Sequence, residues 1–126
     1  METLEKRMKI GEIADKFVNL RNNDEAAVLR TELYSPDFES IEDGNTSEIG
    51  HVKDMAGLKK KGQELSQDFE VHNIKASDPV VADNFFSVKF EIDTTDKKSG
   101  RRATLSEIGV YKVYEGKIVK EHYFMF

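Results

Sequence analysis

The run Glu107-Ile-Gly-Val-Tyr-Lys-Val-Tyr-Glu-Gly-Lys-Ile-Val-Lys-Glu121-His-Tyr-Phe-Met-Phe126 alternates like two strands folded at one Glu-Gly, with a carboxylate near the middle of each arm. An unpaired charge inside a sheet is expensive. Two acids at these positions therefore belong either to an exposed face, where water solvates them, or to the lining of a pocket. In a pocket, desolvation and like-charge proximity raise the pKa of at least one carboxyl, as a general acid at neutral pH requires. The turn decides which residues share a face. Read as a three-residue loop at Tyr114-Glu115-Gly116, it sets Gly109 opposite Glu121, Tyr111 opposite Val119 and Glu107 opposite Tyr123. Glu107, Tyr111, Glu121, Tyr123 and Met125 then line one side, and Ile108, Val110, Lys112, Lys120, His122 and Phe124 the other. Gly109 would leave room for a ligand beside Glu121. His72 shares a strand parity with Ile74 and Ala76 and is a further candidate for the pocket. No close spacing such as His-x-x-x-His occurs, so no metal site is expected.

The elements that must position these side chains follow from periodicity. Ile10, Ile13, Ala14, Phe17 and Leu20 recur at helical spacing over Leu4 to Arg21. Asn22-Asn23-Asp24 ends that helix, and Ala26 to Leu33 predicts a second, closed by Ser35-Pro36. A short strand is expected over Asp37 to Glu42, a turn-rich segment to about Val52, and a third helix over Asp54 to Gln67. Strands are expected at Phe69 to Ala76, Phe85 to Thr95, Arg101 to Val113 and Lys117 to Phe126, an antiparallel meander. Helices first and strands last predict an α+β fold with the helices covering one sheet face.

At 126 residues, 38% of them hydrophobic, the chain fits one domain spanning 1–126. It has no Cys, which excludes disulfides and thiolate chemistry. No apolar run approaches the roughly 20 residues of a membrane span, and the polar start lacks the apolar core of a signal peptide. A cytoplasmic protein is expected, with no membrane role. A net charge of −5, with basic residues dispersed apart from Lys59 to Lys61 and Lys97 to Arg102, disfavours nucleic acid as a partner.

The element order, with the strings Leu33-Tyr-Ser-Pro-Asp-Phe-Glu-Ser-Ile-Glu42, Lys60-Lys-Gly62, His72 seven residues before Pro79, Glu107-Ile-Gly-Val-Tyr and Glu115-Gly-Lys-Ile-Val, resembles SnoaL-like members of the nuclear transport factor 2-like superfamily. The resemblance implies a cone: three N-terminal helices on a strongly curved antiparallel sheet whose concave side is the pocket. That superfamily includes ketosteroid isomerases, polyketide cyclases, dehydratases and non-catalytic binders. In the ketosteroid isomerase branch the end of the first strand carries a carboxylate base, which here is Glu42. The chain departs from that branch around Phe17 and Val18, where a Tyr is replaced by apolar side chains, and near Gly109, where an acid donor is missing.

The implied site has Glu42, Glu107 and Glu121 as acid and base, with His72, Tyr111, Tyr123, Phe90, Met125 and Phe17 around the ligand. Without a cofactor, it would move protons on a small apolar carbonyl compound in an isomerase, cyclase or dehydratase reaction. The competing expectation is a non-catalytic binder or scaffold whose cone is filled by its own aromatic rings. An open cavity of roughly 300 Å³ or more lined by the acids separates the two. A homodimer is expected through the outer sheet face, where Ile108, Val110, Ile118 and Phe124 would otherwise meet water.

Overall fold

Helix α1 (Glu2–Asn22) forms where the apolar stripe repeats, burying Ile10, Ala14, Phe17 and Val18. It stops in a Schellman closure at Asp24, which takes φ of 57°. There the Glu25 N–H reaches the Leu20 carbonyl at 2.9 Å, and the Asp24 N–H the Arg21 carbonyl at 3.3 Å. Helix α2 (Ala26–Leu33) buries Leu29 and Leu33, and Lys117 Nζ donates to the Glu32 carbonyl in its last turn at 2.6 Å. This computed structural model describes residues 2–43, 51–52, 56, 60, 63 and 66–125, apart from the side chains of 2–9, 42, 43, 51, 52 and 125. Within the expected third helix, Ala56, Lys60, Gln63, Ser66 and Gln67 are helical, and Asp68 just beyond it is helical too.

The strands are β1 (Tyr34–Asp43), β2 (His51–Val52), β3 (Phe69–Ala76), β4 (Val80–Ala82), β5 (Phe85–Asp96), β6 (Arg102–Tyr114) and β7 (Lys117–Met125). They form one curved sheet in the order β2-β1-β7-β6-β5-β3, with β4 paired to β5. The α+β class holds, with one correction: the sheet is mixed. β1 enters beside β7 in parallel, Ser40 against Glu121 and Glu42 against Tyr123, and the other pairings are antiparallel. A parallel pair needs a long connection, and the chain between β1 and β7 includes the rest of the sheet. Between Tyr34 and Glu39 the β1–β7 register slips. Pro36 lies in that slip, where its missing N–H breaks no ladder bond.

The last hairpin also departs from expectation. Glu115 and Gly116 both have positive φ, 50° and 78°, so the chain turns in a two-residue loop with Tyr114 opposite Lys117. A bulge between Lys112 and Val113 on one strand and Ile118 and Lys120 on the other leaves Val119 as the extra residue. Beyond it Tyr111 stands opposite Glu121, Gly109 opposite Tyr123 and Glu107 opposite Met125. Two pairing positions separate this register from the expected one. Because the strand period is two, the faces past the bulge are the expected ones. Ile118, placed outside by the sequence reading, lies before the bulge and is buried against Val113.

The core fills the concave side. Phe17 of α1 packs on Phe86, Phe90 and Tyr111, with ring centroids 5.4, 6.3 and 4.5 Å away. Each such fully buried ring contributes about 1.5–3 kcal/mol by leaving water. Phe17 and Phe90 are therefore core side chains first.

Candidate functional site

The register lays the concave face out in rows. One row runs Ser40, Glu121, Tyr111, Phe86 across β1, β7, β6 and β5; the next runs Glu42, Tyr123, Gly109, Val88. Glu107 falls in a third, between Met125 and Phe90. Glu121 and Glu42 thus occupy adjacent strands one row apart. The Glu107 and Tyr111 rows are four residues apart along β6, about 13 Å at the usual strand rise. That separation divides the two acids expected to stand together.

Glu121 is the buried acid, 1% exposed. The Tyr34 hydroxyl, at the junction of α2 and β1, donates to its Oε2 at 3.3 Å. Beside it the Tyr111 hydroxyl donates to that of Tyr123 at 3.2 Å. Burial first, and then the charge of Glu121, push all three phenols well above their ordinary pKa. They remain protonated at neutral pH and act as donors, not bases. Ser40, Glu121's neighbour on β1, has a buried Oγ without a hydrogen-bond partner.

Above this group stands Arg21, in the last turn of α1. The end of that helix is fixed by Asn22, whose amide bridges Ala76 at the end of β3, accepting from its N–H at 2.8 Å and donating to its carbonyl at 3.1 Å. The Arg21 guanidinium lies 5.3 Å from the Phe90 ring centroid. Burial opposes its charge, while Tyr123, Tyr111, Tyr34 and Glu121 hold its pKa above the ordinary value.

A small carboxylate-and-phenol cluster thus sits on the concave side of a curved sheet beside the end of an N-terminal helix, and comparison with known proteins places the domain in a family. The SnoaL-like domain family matches residues 8–125. The chain belongs to this SnoaL-like family. A Mesorhizobium loti protein provisionally described as a SnoaL-like polyketide cyclase is 30% identical, with a TM-score of 0.82 over 90% of this chain and 97% of that one. A nuclear transport factor 2-like protein from Burkholderia thailandensis, 15% identical, superimposes with a TM-score of 0.79 over 93% of this chain and 90% of its own. An epoxide hydrolase from M. tuberculosis of the LEH-like type is 11% identical with a TM-score of 0.63, covering 95% and 84%. The last two show the fold alone. No protein of curated function matches the chain. The SnoaL-like cone supports small-molecule binding as the coarse role of the domain.

Within this SnoaL-like domain the expected site residues fare differently. Glu121, Tyr111, Tyr123, Phe17 and Phe90 meet in the interior. The side chains of Glu42 and Met125 lie outside the described residues; their backbones pair with Tyr123 and Glu107. His72 is displaced by a bulge between Val71 and Asn73, which sets Val71 beside the inward Thr94. Its Nε2 lies 2.7 Å from Thr95 Oγ1 and its Nδ1 3.9 Å from Glu70, so it is not with Glu121. Gly109 makes room for a protein ring instead of a ligand: a Cβ there would stand 2.5 Å from the Tyr111 hydroxyl. Two open hollows of about 430 and 250 Å³ lie outside the cone around Lys112 and Lys120, and neither is lined by Glu107 or Glu121. Tyr34 and Arg21 were not anticipated. Arg21 was detectable, since it follows Phe17 by four and Val18 by three within the apolar stripe.

Proposed function

We propose that this SnoaL-like protein is a cytoplasmic enzyme that, without a cofactor, moves a proton on a small, mainly apolar carbonyl compound in an isomerase, cyclase or dehydratase reaction. Glu121 carries the reading. A carboxylate buried on the concave face, held by the phenol of Tyr34 and flanked by protonated Tyr111, is placed to exchange a proton in a water-poor setting while phenols stabilise negative charge developing on a carbonyl oxygen. Glu42, one row away on β1, is the complementary acid or base. Glu107, two rows from Glu121, lines the far part of the face.

A second reading is favoured by the packing. Tyr111 fills the space at Gly109 and Phe17 packs on Phe86, Phe90 and Tyr111, which supports a non-catalytic binder or scaffold. Exchange separates the two. Ketones incubated with the protein in D₂O should lose α-proton NMR signal faster than in buffer, and Glu121→Gln should abolish the acceleration. Equal exchange with wild type, variant and buffer would leave the binder reading in place.

A further inference from the structure

Arg21 has no part in the proton transfer just described, yet it stands in the apolar stripe of α1 and not on its charged side. Its Nε is buried and, among the described residues, has no hydrogen-bond partner. The surrounding charges favour the cation, but a buried N–H left without an acceptor still costs stability. Glu121, the nearby negative charge, accepts from Tyr34 and acts on Arg21 through its charge.

Three phenols and the Glu121 carboxylate surround Arg21. The hydroxyls of Tyr34, Tyr111 and Tyr123 stay protonated, the Phe90 face supports the cation, and Ser40 Oγ lies unpaired in the row of Glu121. The Tyr34 and Tyr111 protons are already donated, which leaves the Arg21 Nε–H and the Ser40 hydroxyl as the buried groups calling for an acceptor oxygen. The Nε–H with a neighbouring Nη–H matches the two oxygens of a carboxylate, a geometry that lysine could not supply.

We propose that Arg21 is an anion-binding residue of the site and holds the carboxylate of a substrate that is otherwise an apolar carbonyl compound. This deepens the acid/base reading and rests on it for the carbonyl half; the carboxylate half stands on Arg21. The ligand enters with its carboxylate toward the end of α1 and its carbonyl toward Glu121.

Calorimetric titration of the full chain with 4-oxo-4-phenylbutanoate and with its methyl ester tests this. Wild type should bind the acid at least about tenfold more tightly than the ester, the worth of a charge-assisted pair. Arg21→Gln should bring the two within about twofold of each other. Glu121→Gln should keep the preference for the acid while losing α-proton exchange. If exchange is absent from wild type but the Arg21-dependent preference remains, the proton-transfer reading fails and the anion site stands. Equal binding of acid and ester by wild type, a preference surviving in Arg21→Gln, or no heat from either ligand up to millimolar concentration overturns the proposal. Arg21→Met guards against misfolding: it should melt no lower than wild type and lose the upward shift that benzoate gives wild type. A clearly lower melting temperature with no benzoate shift in wild type makes Arg21 a structural cation and overturns the proposal.

Discussion

Glu121 and its phenols show how a charge can be kept inside a small domain. The Tyr34 hydrogen bond offsets part of the desolvation cost. Tyr34→Phe removes a donor to a buried acceptor and should lower stability by about 1–3 kcal/mol. Glu121→Gln removes the charge and keeps an acceptor for Tyr34. It should melt within about 1 kcal/mol of wild type, or above it, in chemical denaturation. If both variants lose substantial stability, Glu121 is holding the hairpin rather than serving a site. The phenols make a second prediction. Tyr34, Tyr111 and Tyr123 are raised in the folded state by burial and then by Glu121. Above about 10 the unfolded chain releases phenol protons that the folded chain retains. The unfolded state then binds fewer protons and stability falls with rising pH, whereas below that range the contribution is complete. Phenolate absorbance from these residues should appear together with loss of ellipticity in an alkaline titration, not before it.

At the scale of elements, the β6–β7 hairpin fixes the cluster, and both of its glycines are under specific constraint. Gly116 takes φ of 78° in the two-residue turn, so Gly116→Ala should cost about 1–2 kcal/mol. Glu115, at φ of 50°, should gain a few tenths of a kcal/mol as Asn. Gly109→Ala places a methyl against the Tyr111 ring and should cost about 1–3 kcal/mol, with partial rescue by Tyr111→Phe, read by thermal melting of the single and double variants. The same hairpin marks the limit of legibility. Strand alternation placed Glu107, Tyr111, Glu121 and Tyr123 on one face from sequence, because a register error of two positions preserves faces. The two-residue turn and the bulge at Val119 were not legible: the turn set Ile118 opposite the inward Val113, and the two shifts together set Tyr111, not Gly109, beside Glu121. His72 failed for the same reason in β3. A bulge answers to the curvature of the whole sheet, which no local window contains. The parallel β1–β7 pairing and the place of Tyr34 are likewise long-range facts.

For the whole molecule, the outer face of the sheet remains to be covered. Phe85, Ile108 and Phe124 are 41%, 43% and 37% exposed, and His122 stacks on Phe124 at 4.3 Å. Val110 lies among them in an open hollow with Lys112 and Lys120. Those two lysines are direct cross-strand partners, an unfavourable pairing eased where Glu39 approaches Lys120 at 3.7 Å. Asp37 and Glu39 border the adjoining hollow, so one face offers an apolar centre flanked by both signs of charge. A two-fold axis through such a face can set each copy's acids against the other's lysines while the aromatic centre is buried. We propose that the protein is a homodimer through this face, leaving the cone mouths clear for ligand. Light scattering should give twice the chain mass of 14.4 kDa. Val110→Arg, which adds a charge at the apolar centre of the outer face without touching the concave side, should return the monomer mass while the far-ultraviolet spectrum stays native. A wild-type monomer at micromolar concentration would exclude this interface. A dimer that survives Val110→Arg would place the contact on another surface.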